Sequence, residues 1–235
     1  MFRKKTTSPK ATAIIVAAGN SRRMGGADKQ LITIDNMPVL SHTLLQFSKS
    51  ASIDKIIVVT KPENILTVGD MIREFAISKV TNIIPGGDTR QDSVCCGLSL
   101  VENDRLVAIH DGARPFISVK KIDELVLAAQ EYGAAAPGVI PKDTVKVASS
   151  NGNIADTVDR NTLRLIQTPQ VFYADELKLA YERAKTTSFI GTDDCSVAEH
   201  SGISIRIIDG EYTNIKVTTP EDIPIAEAIY NFLNK

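Results

Sequence analysis

Short apolar runs that alternate with helically spaced segments predict a doubly wound, mostly parallel α/β sheet with an inserted β-hairpin arm. Two observations carry this. From residue 13 to residue 140, β-branched runs are followed by segments whose apolar residues recur at three and four. That is the alternation of a parallel sheet with right-handed crossovers. Over 141–164 the helical rhythm stops. Val145, Val147, Ile154 and Val158 alternate with polar residues around Asn151-Gly152-Asn153, which is a hairpin signal.

The elements follow in order. Ala13 to Ala18 is an unbroken apolar strand, too short to span a membrane. Leu31 to Ile34 is a short apolar piece, and Pro38 opens a helix through Leu40, Leu44, Leu45 and Phe47. Strands are expected at Lys55–Thr60, Val80–Ile84, Arg105–Ile109 and Ala134–Ile140. Helices are expected at Asn64–Ala76, Gln91–Val101 and Val119–Tyr132. After the arm come helices at Ala174–Lys185 and Asp194–His200 and a strand at Ser204–Ile208. A closing helix runs from Pro220 to Phe232, with Thr219 as its cap and Glu221 and Asp222 favouring its dipole. The class is Rossmann-like, and 235 residues suit one such domain.

Composition excludes several partners. Lys plus Arg (27) balance Asp plus Glu (28), so nothing favours nucleic acid or an anionic membrane, and any positive patch must be local. Cys95, Cys96 and Cys195 form neither a disulfide framework nor a metal-ligand spacing, which points to a reducing compartment. The basic start MFRKKTTSPK has no apolar signal region behind it, so the expectation is a cytoplasmic protein with a frayed tail.

Ligands of such sheets sit beyond the carboxyl ends of the strands, where three loops should converge. The first, after Ala17-Ala18-Gly19, carries Arg22, Arg23, Gly25, Gly26 and Lys29. Glycines let backbone N–H groups approach phosphate oxygens, and fixed cations supply the charge that a polyphosphate seeks. It has neither the P-loop nor the dinucleotide spacing, so alone it reads equally as an exposed charged loop. The second, Pro85-Gly86-Gly87-Asp88-Thr89-Arg90, either merely enters a helix or reads a base edge, with Ser93 one turn further on. In the third, Asp111 stands where a carboxylate would hold Mg²⁺ against a triphosphate, or where it would only cap the turn into Ala113-Arg114-Pro115. His42, His110 and His200 have no partner at a metal or triad spacing and read as structural.

The strand ending AAG, the loop with R-M-G and then K-Q, His110-Asp111-Gly112-Ala113-Arg114-Pro115, Thr157-Val158-Asp159-Arg160, Thr168-Pro169-Gln170 and Asn214-Ile215-Lys216-Val217-Thr218 occur in that order. Together they resemble the 2-C-methyl-D-erythritol 4-phosphate cytidylyltransferases, of nucleotide-diphospho-sugar transferase fold. The resemblance spans about residues 12 to 233. It implies transfer of a cytidylyl group from CTP to 2-C-methyl-D-erythritol 4-phosphate, releasing pyrophosphate in non-mevalonate isoprenoid synthesis, with Mg²⁺ or another divalent cation. Residue by residue, it implies that Ala17, Ala18, Gly19, Gly87, Asp88 and Ser93 bind the nucleotide. Arg23 and Lys29 would stabilise the α-phosphate and the leaving pyrophosphate, with Lys216 facing the α-phosphate from the other side. Asp111, Arg114, Thr144, Arg160 and Thr168 would bind the sugar-alcohol phosphate. The arm would dock on a second subunit in a homodimer and deliver Thr144 and Arg160 across the interface. One departure is Asp28, where the family usually has proline before the loop lysine.

A phosphate nucleophile is already an anion, so the lack of a candidate general base fits this reaction. The alternatives are a ribitol-5-phosphate cytidylyltransferase of the same fold, differing around Ala113, Thr144 and Thr168, and a CTP-binding regulator that transfers nothing. Four cations placed for a transition state argue against the regulator, which needs only ground-state affinity.

Overall fold

The computed structural model describes residues 9–19, 31–103 and 105–234. The central sheet is built from β1 (Ala11–Val16), β4 (Ile53–Thr60), β5 (Val80–Pro85), β6 (Leu106–Asp111), β7 (Ala134–Val139), β10 (Leu165–Ile166), β11 (Gln170–Tyr173) and β12 (Arg206–Asp209). Its order is β10-β7-β11-β6-β1-β4-β5, with β12 also paired to β7. Strands β6, β1, β4 and β5 run parallel, as the alternation predicts.

Side chains of β1 leave the sheet alternately, so one strand feeds two cores. Ala11, Ala13 and Ile15 face α1 (Val39–Lys49), α2 (Ile65–Glu74) and α4 (Val119–Tyr132), through Leu44, Phe47, Val68, Met71, Ile122 and Leu125. Ile14 and Val16 face α3 (Arg90–Leu98), α5 (Ala174–Thr186) and α6 (Asp194–His200), through Val94, Leu98, Leu177 and Val197. All six residues of β1 are buried, which explains why it reads as a continuous apolar run.

Four features differ from the sequence reading. Strand β11 was not expected and runs antiparallel between β6 and β7, so the carboxyl-end rule does not extend across the whole sheet. It is four residues long, opens on glutamine and follows a cis Thr168–Pro169 bond, which leaves little apolar pattern to detect. The apolar piece at 31–34 is part of a small hairpin of β2 (Thr33–Ile34) and β3 (Met37–Pro38). Asp35 and Asn36 turn it with φ of 50° and 59°, a conformation that Asp and Asn tolerate better than most residues. The last sheet strand lies at Arg206–Asp209 rather than at Ser204–Ile208. Finally, α7 (Asp222–Leu233) starts two residues after Pro220. The Asp222 carboxylate, not the Thr219 hydroxyl, organises that start by accepting from the N–H groups of Thr218 and Thr219 at 2.7 and 2.9 Å.

The expected hairpin is present as β8 (Val145–Ala148) and β9 (Ile154–Val158), which pair with each other and stand apart from the central sheet. Val147 is 46% exposed and Ile154 67% exposed.

Helix α3 approaches the sheet at Gly97, where a Cβ would stand 2.6 Å from Cγ2 of the fully buried Ile14. Gly97→Val should therefore destabilise the fold by about 1–3 kcal/mol through overpacking. Chemical denaturation measures this, and an unchanged midpoint would mean that α3 can shift freely on β1.

Candidate active site

A cleft of about 470 Å³ opens at the carboxyl ends of β1, β4, β5 and β6. Ala18 and Gly19 form its floor, with Gly86 to Arg90 and Ser93 on one side and Asp111, Ala113 and Lys216 on another. Of the three loops expected to converge, the second and third line this cleft, while the first is described only as far as Gly19, which lines it too. A fourth wall, Thr60 to Glu63 after β4, was not foreseen, because nothing in its composition distinguishes it from a connecting loop.

The glycine loop is shaped by close approach. A Cβ on Gly86 would lie 2.4 Å from that of Ala18, and one on Gly87 would lie 2.4 Å from that of Asp92, so neither position accommodates a side chain without movement. Thr89 and Asp92 then start α3 with a reciprocal capping box. Ser93 turns back into the loop: its hydroxyl donates to the Thr89 carbonyl at 2.9 Å and accepts from the Gly87 N–H at 3.2 Å. Backbone groups of this loop are thereby fixed along the wall of the cleft.

Opposite stands Asp111, the last residue of β6. Its Oδ2 accepts from the Lys216 ammonium at 2.7 Å and lies 3.6 Å from Nε of Arg114, while Oδ1 accepts from Nε of Arg90 at 3.3 Å. Burial would raise the carboxyl pKa. Arg90, Lys216 and Arg114 outweigh burial and hold it well below the usual carboxylate range. Arg90 also grips Asp194 with both terminal nitrogens, at 3.1 and 2.8 Å. Among the described lining residues Lys61, Arg90 and Lys216 balance Glu63, Asp88 and Asp111, so the positive charge that an anionic ligand would meet is local, at Arg90 and Lys216.

The segment carrying Lys216 is fastened to the same turn. Val217 N–H donates to the Ala113 carbonyl at 2.9 Å, and Arg114 Nη1 donates to the Asn214 carbonyl at 2.8 Å. Asn214 in turn donates to the Thr168 carbonyl at 3.0 Å. Behind Asp111 the fully buried His110 is committed on both nitrogens. Nε2–H donates to the Arg114 carbonyl at 3.1 Å, so Nδ1 accepts from the Thr168 hydroxyl at 3.0 Å, and that hydroxyl accepts from the Asp111 N–H. Burial pushes the His110 pKa down to about 3, so the ring is neutral and structural, as the sequence suggested.

Comparison with known proteins decides what this cleft belongs to. The family profile of 2-C-methyl-D-erythritol 4-phosphate cytidylyltransferase matches residues 11–231. This chain belongs to that cytidylyltransferase family. Among its relatives, the 2-C-methyl-D-erythritol 4-phosphate cytidylyltransferase of Clostridium botulinum strain Okra is 45% identical, over 94% of this chain and 97% of that protein. The enzyme of the same name from Chlorobium phaeovibrioides is 43% identical, over 96% and 98%. Among solved structures, the 4-diphosphocytidyl-2C-methyl-D-erythritol synthase of Anaerococcus prevotii superposes with a TM-score of 0.85 at 30% identity, over 97% of each chain. The cytidylyltransferase of Thermus thermophilus superposes at 0.76 with 27% identity, over 95% and 99%.

The residues singled out in the sequence divide into four groups. Ala18, Gly19, Gly87, Asp88, Ser93, Asp111 and Lys216 line the cleft, with Ala17 buried just below. Arg114 and Thr168 lie one layer behind, holding Asp111 and the Lys216 segment. Thr144 and Arg160 are exposed beside the arm and do not line their own chain's cleft, and Arg160 Nη1 donates to the Lys142 carbonyl at 2.6 Å. Arg23 and Lys29 lie outside the described residues. Sequence reasoning missed Arg90, which it treated only as the end of the glycine loop, and Asp194, which it treated only as the start of a helix. An arginine beside a capping threonine looks like surface, and only the fold brings residue 194 to it.

The His110 shift has a definite sign. An unfolded histidine binds a proton below about pH 6.5 while the folded one resists until about 3, so unfolding takes up a proton in that window and stability falls as pH falls. Between pH 7 and pH 5 the loss from this site should be about 2 kcal/mol. Urea unfolding at both pH values should show the acid loss shrinking in His110→Asn, whose amide does not titrate in this range. An identical acid loss in the variant would disprove the assignment.

Proposed function

We propose that this cleft joins CTP to 2-C-methyl-D-erythritol 4-phosphate, giving 4-diphosphocytidyl-2-C-methyl-D-erythritol and pyrophosphate, and that it does so in a homodimer. The observation that carries the reading is the Lys216 ammonium, held by buried Asp111 in the cleft that the Gly86–Ser93 loop also lines. In the reaction an oxygen of the sugar-alcohol phosphate bonds to the α-phosphorus while the α–β bridging bond breaks and pyrophosphate leaves. No proton has to be removed from an anionic phosphate, which agrees with His110 being neutral, buried and fully bonded. What must be stabilised is the negative charge gathering on the five-coordinate phosphorus and the leaving group. Lys216 serves the α-phosphate, and Arg23 and Lys29 of the preceding loop complete the set. Backbone groups at Gly86 to Asp88, which line the cleft, read the cytosine edge.

Mg²⁺ fits this donor set in a sparse way. Among the described residues no group of three or more His, Cys, Asp or Glu could hold an ion. Asp111 is the buried carboxylate of the cleft and already faces three cations. With Arg90 on Oδ1 and Lys216 on Oδ2, Asp111 offers Mg²⁺ little, so the ion would arrive with the triphosphate and be held chiefly by substrate phosphates and water. Bound there, it would offset triphosphate charge. No described helix is long and apolar enough to cross a membrane.

The dimer is supported by the arm. A two-stranded ribbon is marginal in water, yet β8 and β9 expose Val147 and Ile154, and Leu165 of β10 is 56% exposed. A two-fold partner would cover that apolar surface reciprocally and bring Thr144 and Arg160 to the partner's cleft.

Two experiments test these readings. Pyrophosphate release should be rapid with CTP and 2-C-methyl-D-erythritol 4-phosphate and at least about a hundredfold slower with ribitol 5-phosphate. Preference for ribitol 5-phosphate would reverse the substrate assignment. For the dimer, Lys216→Ala and Arg160→Ala subunits, each inactive alone, are mixed. If Arg160 acts in trans, one cleft of each mixed dimer carries neither defect, and up to about half of wild-type activity per mixed dimer returns. No recovery in a preparation shown to contain mixed dimers would refute the shared site.

A further inference from the structure

Arg90 is the first residue of α3 and bridges two carboxylates from distant parts of the chain. One edge of its guanidinium meets Asp194 with Nη1 and Nη2, at 3.1 and 2.8 Å. Nε faces Asp111 at 3.3 Å. Asp194 is fully buried, and its Oδ1 also accepts from the Tyr181 hydroxyl at 2.5 Å. With those donors in place the guanidinium plane is fixed, because a bidentate pair sets direction as well as distance.

Asp194 is itself mounted on the strand that neighbours Asp111. Gln170 of β11 donates to the Asp193 carboxylate at 2.7 Å and accepts from the Cys195 N–H at 2.9 Å, clamping the start of α6 on both sides of residue 194. Gln170 pairs with Ile109 of β6, two residues before Asp111. The two carboxylates therefore belong to one frame, and Arg90 spans it.

Stability alone does not account for this arrangement. Well-packed apolar residues often replace a buried ion pair at no loss, whereas a bidentate pair on a rigid frame supplies orientation. Resting on the cytidylyltransferase reading of the cleft, we propose that Asp194 and Tyr181 are positioning residues. They lock Arg90 so that it occupies Oδ1 of Asp111 and leaves Oδ2 to hold the Lys216 ammonium toward the nucleotide. Without the Asp194 charge, the terminal nitrogens of Arg90 are free to turn onto Asp111 or onto a bound phosphate, and Lys216 loses its fixed seat. The backbone of the Gly86–Gly87 loop, held by Ser93 and the Thr89–Asp92 capping box, does not depend on Asp194, so turnover suffers more than CTP binding.

Asp194→Asn keeps the shape of the side chain and an acceptor for Tyr181 while removing the charge. With CTP and 2-C-methyl-D-erythritol 4-phosphate, kcat should fall at least about tenfold with the KM for CTP within about threefold. Combining it with Arg90→Gln should cost no more than the larger single loss, because both act through one guanidinium. Unchanged kcat in Asp194→Asn, a loss confined to KM, or losses that multiply in the double variant would each overturn the proposal. Should Asp194→Asn fail to fold, Tyr181→Phe carries the same test, with a kcat loss of at least about threefold that does not multiply with Arg90→Gln. A wild-type protein releasing no pyrophosphate from these substrates would instead defeat the reading of the cleft itself, before any variant is compared.

Discussion

The buried carboxylate of Asp111 is the constraint on which the rest of this site depends. A charge taken out of water at the end of a central strand is costly, and three cations are gathered around it to offset the cost. Each cation comes from a different part of the chain: Arg90 from the start of α3, Arg114 from the turn after β6, and Lys216 from the segment before α7. Satisfying one carboxylate thus ties together elements that are otherwise joined only through the sheet. It also leaves cations at the mouth of the cleft with their positions already determined. A fixed cation is what a transition state with growing negative charge requires, since no reorganisation is then needed during the reaction.

Around that centre, neutral groups are used where a charge would interfere. His110 is as close to Asp111 as sequence allows, yet burial keeps it uncharged and both its nitrogens are committed to the backbone turn and to Thr168. Thr168 accepts from the Asp111 N–H, so its hydroxyl fixes the backbone that carries this carboxylate. Glu211 extends the support outward. Its carboxylate accepts from the Ser118 N–H and hydroxyl, and its carbonyl accepts from Gln167. The site therefore combines a rigid ion-paired wall around Asp111 and Lys216 with a backbone-lined wall at Gly86 and Gly87, and the two bound a space large enough for a nucleotide.

The arm follows a different physical logic. The main domain buries its apolar residues in two cores on either face of the sheet, whereas β8 and β9 keep theirs in water. Their pairing is local, set by a turn around Gly152, and needs no tertiary contact to specify it. That independence is why the hairpin is legible in the sequence at once.

The sequence by itself determined that β1, β4, β5 and β6 are parallel strands, with helices between them, and it determined the hairpin and the Gly86 and Asp111 loops of the cleft. All of these rest on short-range periodicity and turn chemistry, which neighbouring residues dictate to one another. Tertiary structure alone decided the antiparallel β11, the Thr60–Glu63 wall and the pairing of Arg90 with Asp194. A four-residue strand between two buried neighbours is stabilised by the ladders it completes rather than by its own pattern. Likewise, Asp194 stands 104 residues from Arg90, and a buried aspartate carries the same letter as an exposed one. Burial is what turns that carboxylate from a solvated surface group into one that must find a cation, and burial is a property of the folded chain.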